Sequence, residues 1–141
     1  MVKDFIGIEK FIQKNAIYLS DEYRETIVSI ATARLYYTQQ LYDKAIKVIL
    51  QTEFNDFLMS LSARILLTKI YIETKDFDVA ENHIATFKKY IRRQKNIGYH
   101  KDRVLKFLLM CEQLIIVKSA SKKQQKLFQL QLSNDNALME K

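Results

Sequence analysis

Apolar side chains recur at three- and four-residue steps from the start of the chain, at Phe5, Ile8, Ile12, Ala16 and Leu19. That spacing predicts a helix over 4–19 with one face turned to a core. Ser20 followed by Asp21, Glu22 and Glu25 reads as a helix start, with an oxygen to cap free N–H groups and acids in the first turn. The helix from 21 to about 39 is expected to bury Tyr23, Ile27, Ile30, Ala31, Leu35 and one or both of Tyr36 and Tyr37. A polar turn at Gln39-Gln40 leads into a helix over 42–52; Asn55 or Asp56 caps the next, over 56–74, and Asp76 the one after, over 77–94. The segment Gln94 to His100 is the clearest break, with Gly98 suited to the left-handed position that ends a helix. A helix over 102–118 follows, so apolar in its second half that cover on more than one side is expected. Ser119–Ser121 reads as a joint before a helix over 122–132 and a short turn from Asn134. Leu127 to Leu132 alternates as a strand would, but a lone strand has no partner, so the segment is read as helical.

Part of this pattern occurs twice. Residues 33–45 return thirty-five residues later as 68–80, with Tyr36 matched by Tyr71, Asp43 by Asp78, Ala45 by Ala80 and Ile49 by Ile84. Arg34/Lys69, Leu35/Ile70 and Tyr42/Phe77 are conservative echoes at the same offset. Two Gly and no Pro leave little with which to build the turns of a hairpin-rich sheet, whereas helix arrays turn on Asn, Asp and Ser. The fold class is all-α, and 141 residues form a single helical-repeat domain with enough chain to bury a real core.

A repeat built as helix, polar turn, aromatic, Ala and helix resembles the tetratricopeptide (TPR) family. Tyr36, Ala45 and Ile49 fit the family's spacing, as do Tyr71, Ala80 and Ile84, with Ala33 and Thr68 at the small position. Ser29 and Arg64 stand where Trp is usual, and Phe57 and Arg92 where the pattern has Pro. The good match covers roughly 26–94. The resemblance implies a right-handed stack of antiparallel helix hairpins, two of them at about 21–53 and 56–94. It further implies a lone helix over 1–20 before them and, over 95–141, a degenerate third hairpin or C-terminal cap with its tail. In its run of short, aromatic-rich helices the chain looks like the C-terminal part of longer bacterial TPR proteins. Ala45 and Ala80 are expected at helix–helix contacts, where a larger side chain would overpack.

Charge separates two functional readings. Net charge is +7, but residues 1–87 hold 10 Lys/Arg against 12 Asp/Glu, while residues 88–126 hold 12 Lys/Arg against Asp102 and Glu112 alone. The basic block begins with Lys88, Lys89, Arg92, Arg93 and Lys95 and continues through Lys101 and Arg103. One or two cations near a helix C-terminus would answer its dipole; five exceed that need. A solvated face is one explanation, and sequence-indifferent binding of nucleic acid or another polyanion is the other.

Site chemistry is sparse. His83 and His100 stand alone, Cys111 has no Cys or His at a ligand spacing, and Gly7 and Gly98 cannot make a phosphate-binding loop. No enzyme, metal or cofactor is therefore expected. A single cysteine excludes an internal disulfide, the N-terminal segment lacks the apolar core of a signal peptide, and the apolar stretch 104–117 is too short for a membrane span. The chain reads as cytoplasmic, without a membrane partner.

The main expectation is a non-catalytic protein-interaction scaffold. By the resemblance, a concave groove is lined by the first helix of each hairpin, and the matching positions here are Ile27, Ile30, Arg34, Tyr37 and Thr38, then Ser62, Ile65, Lys69, Ile72 and Glu73; the candidate partner contacts among them are Ile30, Arg34, Tyr37, Ile65, Lys69 and Ile72. Arg34 and Lys69 are repeat equivalents, and two cations among apolar side chains suit a protein or peptide with an acidic residue between hydrophobic anchors.

Overall fold

The computed structural model describes residues 5–139, all of whose regular elements are helical. Asp4, the expected first residue of the first helix, lies outside them. α1 (Phe5–Asn15) ends in a single 3-10 turn (Ala16–Tyr18); α2 (Asp21–Thr38), α3 (Tyr42–Leu50), α4 (Phe57–Glu73), α5 (Phe77–Arg93) and α6 (Tyr99–Met139) follow. The described residues up to Thr74 form one compact unit, and those from Lys75 onward a second.

In the first unit, α2 and α3 form a hairpin, α1 packs on α2, and α4 packs on both α2 and α3. The core joins Ile30 and Ala33 of α2, Ala45 and Ile49 of α3, and Ala63, Leu66, Leu67 and Ile70 of α4. Ala33 and Ala45 are completely buried. Small side chains there let the backbones approach, while Tyr36, Tyr42 and Tyr71 pack around them. Arg24 ties the 3-10 turn to α2: its Nε donates to the Ala16 carbonyl at 2.9 Å and its Nη2 to the Leu19 carbonyl at 2.9 Å. Asp56 caps α4, accepting from the Met59 N–H at 3.0 Å, as expected. Ser20 and Asp76 occupy N-cap positions without a side-chain cap bond.

The turn after α2 is a Schellman motif. Gln40 takes a left-handed φ of 61°, its N–H donates to the Tyr37 carbonyl at 3.0 Å, and the Leu41 N–H donates to the Tyr36 carbonyl at 2.9 Å. Thirty-five residues on, Lys75 takes φ 59°, and the flanking backbone repeats too: Gln39 and Thr74 have φ/ψ of −81°/0° and −79°/0°, Leu41 and Asp76 −87°/65° and −89°/69°. The two halves of the sequence repeat thus turn with the same local backbone, although neither left-handed position is a glycine.

In the second unit α5 pairs with α6. Phe77, Ala80, Ile84, Phe87 and Ile91 bury one face of α5; Val104, Leu108, Cys111 and Ile115 bury one stripe of α6 at steps of four, three and four. Two expectations about this region fail. Ser119–Ser121 is no joint but lies inside one continuous helix of 41 residues, about 60 Å long. Ser and Ala interrupt no helix, and neither Gly nor Pro occurs between Tyr99 and Met139. Within the second unit the apolar second half of the expected 102–118 helix packs against α5, and Leu109, Met110, Ile116 and Val117 remain more than half exposed. Gly98 does have a left-handed φ of 42°, but it precedes α6 rather than ending α5, which stops at Arg93. Among the described residues no helix is long and apolar enough to cross a membrane.

Candidate functional site

α2 and α4 present a common face that ends in a three-residue cluster. The Tyr37 hydroxyl donates to Oε1 of Glu73, and the Tyr42 hydroxyl donates to Oε2 of the same carboxylate at 2.8 Å. The two rings meet edge to face, with centroids 6.0 Å apart and planes at 62°. Residues 37, 42 and 73 come from the end of α2, the start of α3 and the last turn of α4, so one carboxylate fastens three helices. One turn back on α2 and α4 stand Arg34 and Lys69, both exposed. Ile65 is half-buried. Ile30 and Ile72, expected in the groove wall, are buried; Ile30 belongs to the core between the helices. The accessible face therefore consists of Arg34, Lys69, Ile65 and the Tyr37–Glu73–Tyr42 cluster.

The carboxylate perturbs both phenols. Accepting the Tyr37 hydroxyl proton, Glu73 favours the neutral phenol, and burial and its negative charge add to that, so the Tyr37 pKa is pushed up from 10.0 to about 12. Tyr42 moves in the same direction, first through its hydrogen bond to Glu73. Because the folded value lies above the ordinary one, whatever the bond contributes to stability is complete below pH 10 and is lost as pH rises from 10 through about 12. Glu73→Gln should return the Tyr37 transition toward 10. An absorbance titration at the phenolate band, differenced against Tyr37→Phe to isolate this one of eight tyrosines, reads that shift. An unchanged curve would mean that Glu73 does not accept this bond.

The motif positions place both Tyr37 and Glu73 on the groove but do not show that the two bond. The available signal is that Glu73 stands thirty-five residues from Thr38, the residue after Tyr37.

The basic residues lie on the second unit and are not equivalent. Lys88 is half-buried and paired with Glu112. Lys89, Arg92, Arg93 and Lys95 are exposed; Lys101 is half-buried, and Arg103 is exposed with its guanidinium 5.3 Å from the centre of the Tyr99 ring. Lys122 lies 5.7 Å from the Phe77 ring and donates to the Lys75 carbonyl at 3.4 Å. Acids gather elsewhere, around a cleft in the first unit lined by Asp21, Glu22, Glu25, Glu53 and Asp56. Two of them have structural partners: Asp21 pairs with Arg24 at 2.8 Å, and Asp56 caps α4. Cys111 is buried and in no disulfide, and no group of three or more His, Cys, Asp or Glu able to hold a metal occurs among the described residues. Comparison with protein-family models, with curated proteins and with solved structures found no match.

Proposed function

We propose that this chain is a non-catalytic interaction module of TPR-like architecture, which holds a peptide or helix of a partner protein against the face shared by α2 and α4. The observation that carries the reading is the pair of exposed, repeat-equivalent cations Arg34 and Lys69, one turn from a cluster that fastens α2, α3 and α4 together. A recognition surface needs such rigidity, because side chains held in place before binding lose less freedom on binding. The repeated turn geometry at Gln40 and Lys75 and the complete burial of Ala45 and Ala80 support the repeat register on which the assignment rests. The partner segment carries an Asp or Glu for the two cations, flanked by apolar anchors for Ile65 and the tyrosine rings.

A polyanion as principal ligand is less well supported. Lys88 is neutralised by Glu112, Lys122 is turned to a carbonyl and a ring, and large apolar side chains stand exposed along the same helix. A surface built to track a phosphate backbone would be continuous and polar. Affinity capture with the wild-type chain and with Arg34→Glu/Lys69→Glu tests the proposal. Both substitutions are at exposed positions, so the double variant should fold and lose its specific protein partner.

A further inference from the structure

α5 and α6 leave a groove of about 410 Å³ along one side of their pair. On α5 it is walled by Glu81, Ala85, Lys88 and Arg92, residues at steps of four, three and four that form one stripe over three turns. On α6 it is walled by Glu112 and Ile116, and Leu109 continues their stripe one turn toward the N-terminus. The buried Ile84 also lines it, while Ile116 stands 67% exposed and Leu109, on the same stripe of α6, 53%. The dimensions are those of a seat for about three turns of helix. This chain fills such a seat elsewhere: the α2–α3 pair receives α4 against both its members. The α5–α6 pair receives no third helix from the described residues of its own unit, because α6 runs straight through Ser119–Ser121 instead of turning back.

We infer that this groove docks an amphipathic helix from a partner protein, apolar on its inner face and bearing Asp or Glu along the edge that meets Lys89 and Arg92. The charge pattern selects this occupant. Within the groove Glu112 is taken by Lys88, whereas Lys89 and Arg92 make no ion pair among the described residues. They lie in a segment, 88–126, that holds 12 Lys/Arg against two acids. Two copies of the chain meeting here would bring these segments together, and like charges would oppose them. An acidic helix is attracted by the same field, and its apolar stripe covers Leu109 and Ile116, which a nucleic acid would leave against phosphate and water. The inference is independent of the α2–α4 face, since it uses none of its residues.

The test is fluorescence anisotropy of the full chain with a labelled synthetic helix of about 18 residues that has Leu at i, i+3, i+4 and i+7 between flanking Glu. A peptide of the same composition with the stripe scrambled is the control, with a single-stranded RNA as competitor. The striped peptide should bind about tenfold or more tightly than the scrambled one. Leu109→Asp/Ile116→Asp and Lys89→Glu/Arg92→Glu, all at exposed positions, should each weaken it by a similar factor, whereas Arg34→Glu/Lys69→Glu should leave it unchanged. Absence of binding, equal binding of the scrambled peptide, or displacement of the labelled peptide by RNA at lower concentration than by unlabelled striped peptide would overturn the inference. So would a concentration-dependent dimer in sedimentation that Ile116→Asp converts to monomer, because the occupant would then be a second copy.

Discussion

Phe87→Ala is expected to lower the thermal midpoint by roughly 10–20 °C, a loss of about 3–5 kcal/mol. Phe87 is the largest of the completely buried side chains, on the α5 face that also buries Ile84 and Ile91. Truncation forfeits the transfer free energy of the ring and leaves a cavity that rigid helices on either side cannot close. A domain of this size is stable by about 5–15 kcal/mol, so the variant gives up a large share of the total. Leu109→Ala removes an apolar side chain of comparable type from a position 53% exposed, and its midpoint should move by about 3 °C or less. Circular dichroism melts of the two variants check the contrast. Equal effects would mean that α6 does not bury the stripe assigned to it.

Ala45→Leu should cost about 1–3 kcal/mol for the opposite reason. Ala45 is 0% exposed and shares a cluster with Ala33, Ala63, Ile30 and Ile49, where added methylenes have no void to occupy. The α2–α3 hairpin would have to spread or adopt strained rotamers, and α4, which packs on both helices, would lose part of its seat. Lys44→Leu, next in sequence but exposed, should stay within about 0.5 kcal/mol of wild type. Urea denaturation measures both; a neutral Ala45→Leu would show that α2 and α3 do not approach closely.

The sequence was most informative where local chemistry and the repeat agreed. Periodicity located α2, α4 and α5 to within a residue at most ends, and the thirty-five-residue offset paired turns whose backbones match at Gln40 and Lys75. Two small polar residues at Ser119 and Ser121 misled in the opposite direction. They are compatible with a joint, but without Gly or Pro nothing prevents Lys118 to Leu132 from continuing a helix already begun. The uncovered side of α6 was also out of reach, because periodicity measures how much apolar surface a helix carries and not how much of it a neighbour supplies cover for. At the candidate site Arg34 and Lys69 were legible as repeat equivalents. Glu73 was legible as a groove position too, but its bonds to Tyr37 and Tyr42 were not, since they join residues 36 and 31 apart that meet only once the helices are packed. Ile30 and Ile72 were placed on the groove by motif position and lie buried instead.

Once a partner segment has been captured and mapped, its affinity for three forms of the chain bears most directly on the claim that the α2–α4 face is the recognition surface. These are wild type, Arg34→Glu/Lys69→Glu and Lys89→Glu/Arg92→Glu, measured by calorimetric titration. The first double variant is expected to bind about tenfold or more weakly, and the second to bind as wild type does. A folded Arg34→Glu/Lys69→Glu variant that keeps full affinity would contradict that claim.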